Sequence, residues 1–201
     1  MQTAIEHLKK DPILASLIEK LGDLPPINQT KDVFQALVES IISQQLSTKA
    51  ADTIYKRFLT LTGNVLLPGE VAALDVEHMR GVGISYQKAG YIHNVAQFFI
   101  ENPGWYEEAY TLDDETLITR LTQIKGVGLW TVQMLLIFEL GRLDILPLDD
   151  LIVRKGIVFH YGLDEKDKSH RKQCVEIAKS WEPYRTIASR YMWASKDMIV
   201  L

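Results

Sequence analysis

The stretch Ile124-Lys125-Gly126-Val127-Gly128-Leu129-Trp130-Thr131 joins a glycine turn to an apolar helix, and the chain runs on from there to Leu146-Pro147-Leu148-Asp149-Asp150. Two glycines one residue apart, just ahead of a helix, let the backbone turn tightly and leave amide N–H groups pointing outward, a cradle of phosphate size. The helix expected from Leu129 to about Leu140 is apolar on nearly every face, with Trp130, Val132, Met134, Leu135, Leu136, Ile137 and Phe138, and is expected to run through the protein interior. Gly141 suits its C-cap, and Pro147 blocks further helix. Asp149 is the expected N-cap of the next helix, which would put Asp150 in its first turn at the positive end of the helix dipole. A phosphate-sized turn and an acid are thus tied together by one apolar rod.

The rest of the chain reads as helices. Val33, Phe34, Leu37, Val38, Ile41 and Ile42 mark one face of a helix from Lys31 to Ser43, which breaks at Gln44-Gln45-Leu46-Ser47. Ser47 suits the cap of the next helix, which carries Ala50, Ala51, Ile54, Tyr55 and Phe58. Arg80-Gly81-Val82-Gly83 repeats the two-glycine pattern ahead of a helix through Tyr91, Ile92, Val95, Ala96 and Phe99. Apolar spacing gives about ten helices and no strand, an all-α chain. With 201 residues, 47% of them hydrophobic, there is ample material for a core. The single cysteine, Cys174, excludes an intrachain disulfide and any multi-cysteine metal cluster, and reads as a small buried hydrophobe in a reducing compartment. No signal peptide and no membrane-length apolar run is present, so the expected location is cytosolic, or nuclear in a eukaryote. A net charge of -4 argues against a nucleic-acid partner unless Lys49, Lys125, Arg154, Lys155 and their neighbours share one face.

Helix, two-glycine turn and helix together make a helix-hairpin-helix, whose turn amides can hold a DNA phosphate without reading sequence. The company it keeps is more specific: Ser43-Gln44-Gln45-Leu46-Ser47, Arg80-Gly81-Val82-Gly83, Lys125-Gly126-Val127-Gly128-Leu129-Trp130-Thr131, Leu148-Asp149-Asp150 and Trp181-Glu182-Pro183-Tyr184-Arg185. From about Phe34 to Trp193 the chain resembles the helix-hairpin-helix DNA glycosylases, and within them the 3-methyladenine DNA glycosylase II branch that removes alkylated bases. The resemblance implies an all-α fold of two helical lobes with the active-site cleft between them. Residues 1–30 and the C-terminal helices would form one lobe and residues 31–140, approximately, the other, as a single catalytic core without the extra sheet domain of some relatives. It implies a double-stranded DNA partner containing damaged bases, a monomer, and no membrane.

The same resemblance makes Asp150 the catalytic acid. Trp130 and Trp193 would wall the pocket of the flipped base, with Met134 standing where the family has a tyrosine. The residue filling the gap in the duplex would come from Gln44-Gln45-Leu46, as Gln45 or Leu46. Phosphate contacts would come from Lys125, Gly126, Gly128 and Thr131, with the Gly81–Gly83 turn, Ser85 and Lys88 either a lesser contact or purely structural. Trp181 and Trp105 read as core. Relatives that also cut the strand carry a lysine where this chain has Trp130, so hydrolysis without lyase activity is expected. No cofactor and no iron-sulfur cluster is expected, although the carbonyls of Thr122, Ile124 and Val127 could seat a monovalent cation. Two other readings fit the composition: a helix-hairpin-helix module that binds DNA without catalysis, and an all-α protein-interaction domain.

Overall fold

In the computed structural model, which describes residues 2–27 and 32–199, every regular element is a helix. The first two are α1 (Gln2–Leu8) and α2 (Pro12–Leu21), and Asp11 caps α2 by accepting from the Ile13 and Leu14 amides. Then follow α3 (Val33–Ser43), α4 (Thr48–Thr60), α5 (Pro68–Ala72), α6 (Val76–Gly81), α7 (Tyr86–Glu101), α8 (Trp105–Thr111), α9 (Asp114–Leu121) and α10 (Leu129–Met134). The chain closes with α11 (Leu151–His160), α12 (His170–Ala178) and α13 (Arg185–Ala194). Lys31, expected to open the third helix, lies outside the described residues; Asp32 caps α3 through the Gln35 amide.

The chain divides into two units, Met1–Ile27 with Gly141–Leu201, and Asn28–Leu140. In the first, α13 packs on α11 and α2 around Leu14, Val153, Ile157, Trp181, Ala188 and Met192. Trp181 is fully buried and its indole N–H donates to Asp11, which also accepts the Tyr161 hydroxyl, so the acid that caps α2 ties three segments together. Cys174 is buried in this core, as expected of a small hydrophobe. In the second unit α7 packs against α3 and α5, and Trp105 is buried beside Phe98. No helix among the described residues is long and apolar enough to cross a membrane.

The rod drawn from sequence as a continuous buried helix is corrected in two respects. After Met134 it widens into a π-helical turn, Leu135–Glu139, closed by the Leu140 amide on the Leu135 carbonyl. It is not buried throughout: Leu129 and Phe138 are each 41% exposed, while Val132 and Leu135 to Ile137 are sealed.

Candidate active site

Asp150, not Asp149, caps α11. Its backbone is extended (φ −67°, ψ 125°), and helical geometry begins at Leu151. Its Oδ1 accepts three N–H groups: the Ile152 and Val153 amides, both at 3.0 Å, and the Trp193 indole Nε1 at 2.9 Å. Asp149 lies one residue outside the helix and pairs instead with Arg171 at 2.6 Å, an exposed contact. The carboxylate of Asp150 is therefore oriented by fixed donors at the positive end of a ten-residue helix.

The loop that delivers Asp150 is itself clamped. Arg185 grips Asp144 with Nε and Nη2, each at 2.8 Å, and Asp144 holds the Arg185 guanidinium more firmly protonated than usual. Next to it, Thr186 donates to the Arg142 carbonyl and accepts from the Ile145 amide. Arg154 reaches back to the Leu148 carbonyl at 3.1 Å, so this basic group, one of those that would have to share a face to offset the net charge, braces the acid's loop. Asp144 carried no recognisable signal in the sequence, although its partner Arg185 belongs to one of the quoted motifs.

The glycine turns also depart from expectation. Gly83 and Gly126 each have φ +104° and are the structural equivalents, so the two Gly-Val-Gly triplets are out of phase by two residues. Ser85 and Gly128 consequently occupy matching N-cap positions. Ser85 turns its hydroxyl to the Lys88 amide, whereas Gly128 has no side chain and α10 starts without a side-chain cap. The first turn thus caps its own helix through a side chain, and the second does not. At Gly126 a Cβ would lie 2.1 Å from the Tyr91 ring, while at Gly128 it would meet nothing within 4 Å. Close packing requires the first of these glycines; open space surrounds the second.

Around this turn the expected contacts separate. Lys125 is exposed, and the Asn94 side chain supports its carbonyl at 3.0 Å. Thr131 is only 1% exposed and its hydroxyl accepts from Gln44, so its side chain serves the interior rather than a phosphate. Gln44 also points inward, donating to Thr131 at 3.1 Å and to the Gly126 carbonyl at 3.4 Å, which removes it from the candidates for insertion into a duplex. Gln45 and Leu46 are exposed, and Gln45 has the left-handed φ of +60°. Lys88 is turned to carbonyls of the protein and not to solvent.

Trp130 is half-buried in the first turn of α10, and Met134, one turn later on the same face, is 8% exposed. Trp193 is half-buried with its N–H on Asp150. The structure thus brings Trp193 to Asp150 within one unit, and Gln44 to Gly126 and Thr131 within the other. Among the described residues no cluster of three His, Cys, Asp or Glu could hold a metal.

Comparison with known proteins gives this arrangement a setting. Residues 38–183 match the HhH-GPD superfamily of base excision DNA repair proteins. The chain is 37% identical over 188 residues to DNA-3-methyladenine glycosylase 1 of Schizosaccharomyces pombe, covering 90% of this chain and 81% of that one. It is 31% identical over 202 residues to a putative DNA-3-methyladenine glycosylase of Bacillus subtilis, covering 97% and 69%. A 3-methyladenine DNA glycosylase of Schizosaccharomyces pombe solved with abasic DNA superposes with a TM-score of 0.88 at 35% identity, covering 97% of each chain.

Proposed function

As a chain that belongs to the HhH-GPD superfamily of base excision DNA repair proteins, this is a DNA glycosylase of alkylated bases, and we propose that it hydrolyses without cutting the strand. It takes a damaged base such as 3-methyladenine out of the duplex, breaks its N-glycosidic bond and leaves an abasic site.

The observation that carries the mechanism is the carboxylate of Asp150, held by three N–H donors at a helix N-terminus. Departure of the base builds positive charge on the sugar, and a preorganised carboxylate stabilises that charge without reorienting during the reaction. Water then adds to the sugar carbon. Alkylation at a ring nitrogen makes the base cationic and its bond weak, and an indole face attracts a cation by about 0.5 to 2 kcal/mol. Trp130 is our candidate for that wall. Trp193 has a second duty, because its N–H orients the acid. Trp193→Phe keeps an aromatic ring and loses the donor, so single-turnover excision should fall about 10- to 100-fold, the worth of a hydrogen bond to a charged group. A Phe variant as fast as wild type would mean that the bond orients nothing the reaction needs.

Backbone grip is assigned to the Gly128 end of α10 and to Lys125, with Gln45 or Leu46 entering the duplex. The carbonyls of Thr122, Ile124 and Val127 are neutral oxygen donors of the kind Na⁺ or K⁺ prefers, and the Ile124 oxygen, which accepts the Val127 amide at 2.9 Å, retains a lone pair for an ion. A cation there would add positive charge beside the phosphate.

Trp130 stands where strand-cutting relatives have an attacking lysine, which supports simple hydrolysis. The test is base release from methylated DNA in the presence of borohydride. We expect free base, heat-labile abasic sites and no covalent adduct. A trapped enzyme-DNA species would establish an amine nucleophile, and no base release at all would favour a module that only binds DNA.

A further inference from the structure

The first glycine turn, unused by the chemistry above, launches α7, and one face of α7 supports both parts of the DNA-engaging surface in its unit. Lys88, Tyr91 and Asn94 follow one another at intervals of three residues. Asn94 holds the Lys125 carbonyl, and the Tyr91 ring fills the space a side chain at Gly126 would need. Lys88 holds the plug corner: its Nζ donates at 2.7 Å to the Ile42 carbonyl and at 2.7 Å to the Gln44 carbonyl.

That second bond has a particular consequence. The Gln44 carbonyl belongs to the peptide plane that immediately precedes Gln45, and rotation between that plane and the Gln45 Cα is the φ angle that stands at +60°. A left-handed backbone is unfavourable for an L-residue and persists only where its neighbours hold it. Here the ammonium pins the plane, the Leu46 amide closes on the Ser43 carbonyl at 3.1 Å, and the Gln44 carboxamide anchors the corner to Gly126 and Thr131. Partial burial lowers the pKa of Lys88 from the usual lysine value.

We propose that Lys88 is a positioning residue for duplex insertion: it holds Gln45 and Leu46 in the projecting conformation and, through α7, makes the plug corner and the phosphate-gripping hairpin one rigid piece. The proposal rests on the glycosylase reading. It also assigns the first hairpin its task, since Ser85 caps α7 through the amide of Lys88 itself.

The alternative role for Lys88, a phosphate contact, makes opposite predictions, and Lys88→Met separates the two. A lost phosphate contact weakens duplex binding for all sequences and lowers its salt dependence. Under our proposal the salt dependence of affinity for an undamaged duplex stays as in wild type. The ratio of excision from double-stranded to single-stranded methylated DNA falls about 10- to 100-fold, the effect of misplacing a group by an ångström. Lys88→Arg, whose guanidinium can reach both carbonyls, should restore much of that ratio. Thermal unfolding run in parallel separates a folding defect, and Lys88→Gln carries the same comparison should the Met variant fold poorly. Equal loss on both substrates, or a flattened salt dependence, overturns the proposal. If wild type releases base from neither substrate, it is the glycosylase reading that fails. Fluorescence of 2-aminopurine placed beside a tetrahydrofuran abasic site then still decides whether Lys88→Met impairs insertion.

Discussion

Asp150→Asn should abolish detectable base release while leaving duplex binding and the fold intact. The substitution is unusually clean because asparagine caps a helix about as well as aspartate. Its side-chain oxygen can still accept the Ile152 and Val153 amides and the Trp193 indole, so the contacts that build the loop survive. What disappears is the negative charge. Removing a preorganised electrostatic partner from a charged transition state costs about 10²- to 10³-fold in rate, and more where the charge is the principal stabiliser. Single-turnover release of methylated purines, paired with anisotropy on an abasic duplex, gives both readouts. An active Asn variant would move the catalytic role away from Asp150. Asp149→Asn is the control: it removes charge only from the exposed pair with Arg171, so excision should remain near wild type.

The largest effect on stability is expected at Gly126. Gly126→Ala meets two penalties at once, a φ of +104° that an L-residue rarely adopts and a Cβ placed 2.1 Å from the Tyr91 ring. Overpacking of this kind costs about 1 to 3 kcal/mol, and the unfavourable backbone adds about 1 to 2 more. Trimming the partner does not solve the clash, because the Tyr91 Cβ itself would lie only 2.5 Å away. The double variant Gly126→Ala with Tyr91→Ala should therefore remain destabilised in thermal or urea unfolding. Recovery of wild-type stability in that double variant would show that the ring, and not the approach of the two backbones, makes glycine necessary. Gly128→Ala, in open space at φ −94°, serves as the mild comparison.

The framework of helices was legible because apolar spacing and caps are local: Ser47 caps α4 just where the apolar face of α3 has ended and the next begins. The acid and the hairpin were legible for the same reason, as compact motifs. What escaped depended on one dihedral angle or on distant partners. Whether Asp149 or Asp150 caps α11 is a one-residue difference in where helical geometry begins, and both are good caps. The two Gly-Val-Gly triplets look equivalent until the left-handed glycine is located in each. Gln44 and Gln45 are adjacent and chemically identical, yet one turns in to Thr131 and the other out to solvent; the partners of Gln44 are 82 and 87 residues away, and no periodicity reports them. Thr131 follows the turn as a phosphate ligand would, but the packing of α10 seals it.

Position 128 distinguishes the two hairpins by a single hydroxyl. A serine there would repeat the device used at Ser85, accepting the Thr131 amide as Ser85 accepts that of Lys88, with no steric obstacle and a gain of roughly a few tenths of a kcal/mol over glycine. Thr131 is sealed from solvent, so the hydroxyl would serve the helix and compete with no external acceptor. The same hairpin shape thus ends in a hydroxyl at Ser85 and in bare backbone at Gly128, and the helices that follow need not be equally firm in their first turns.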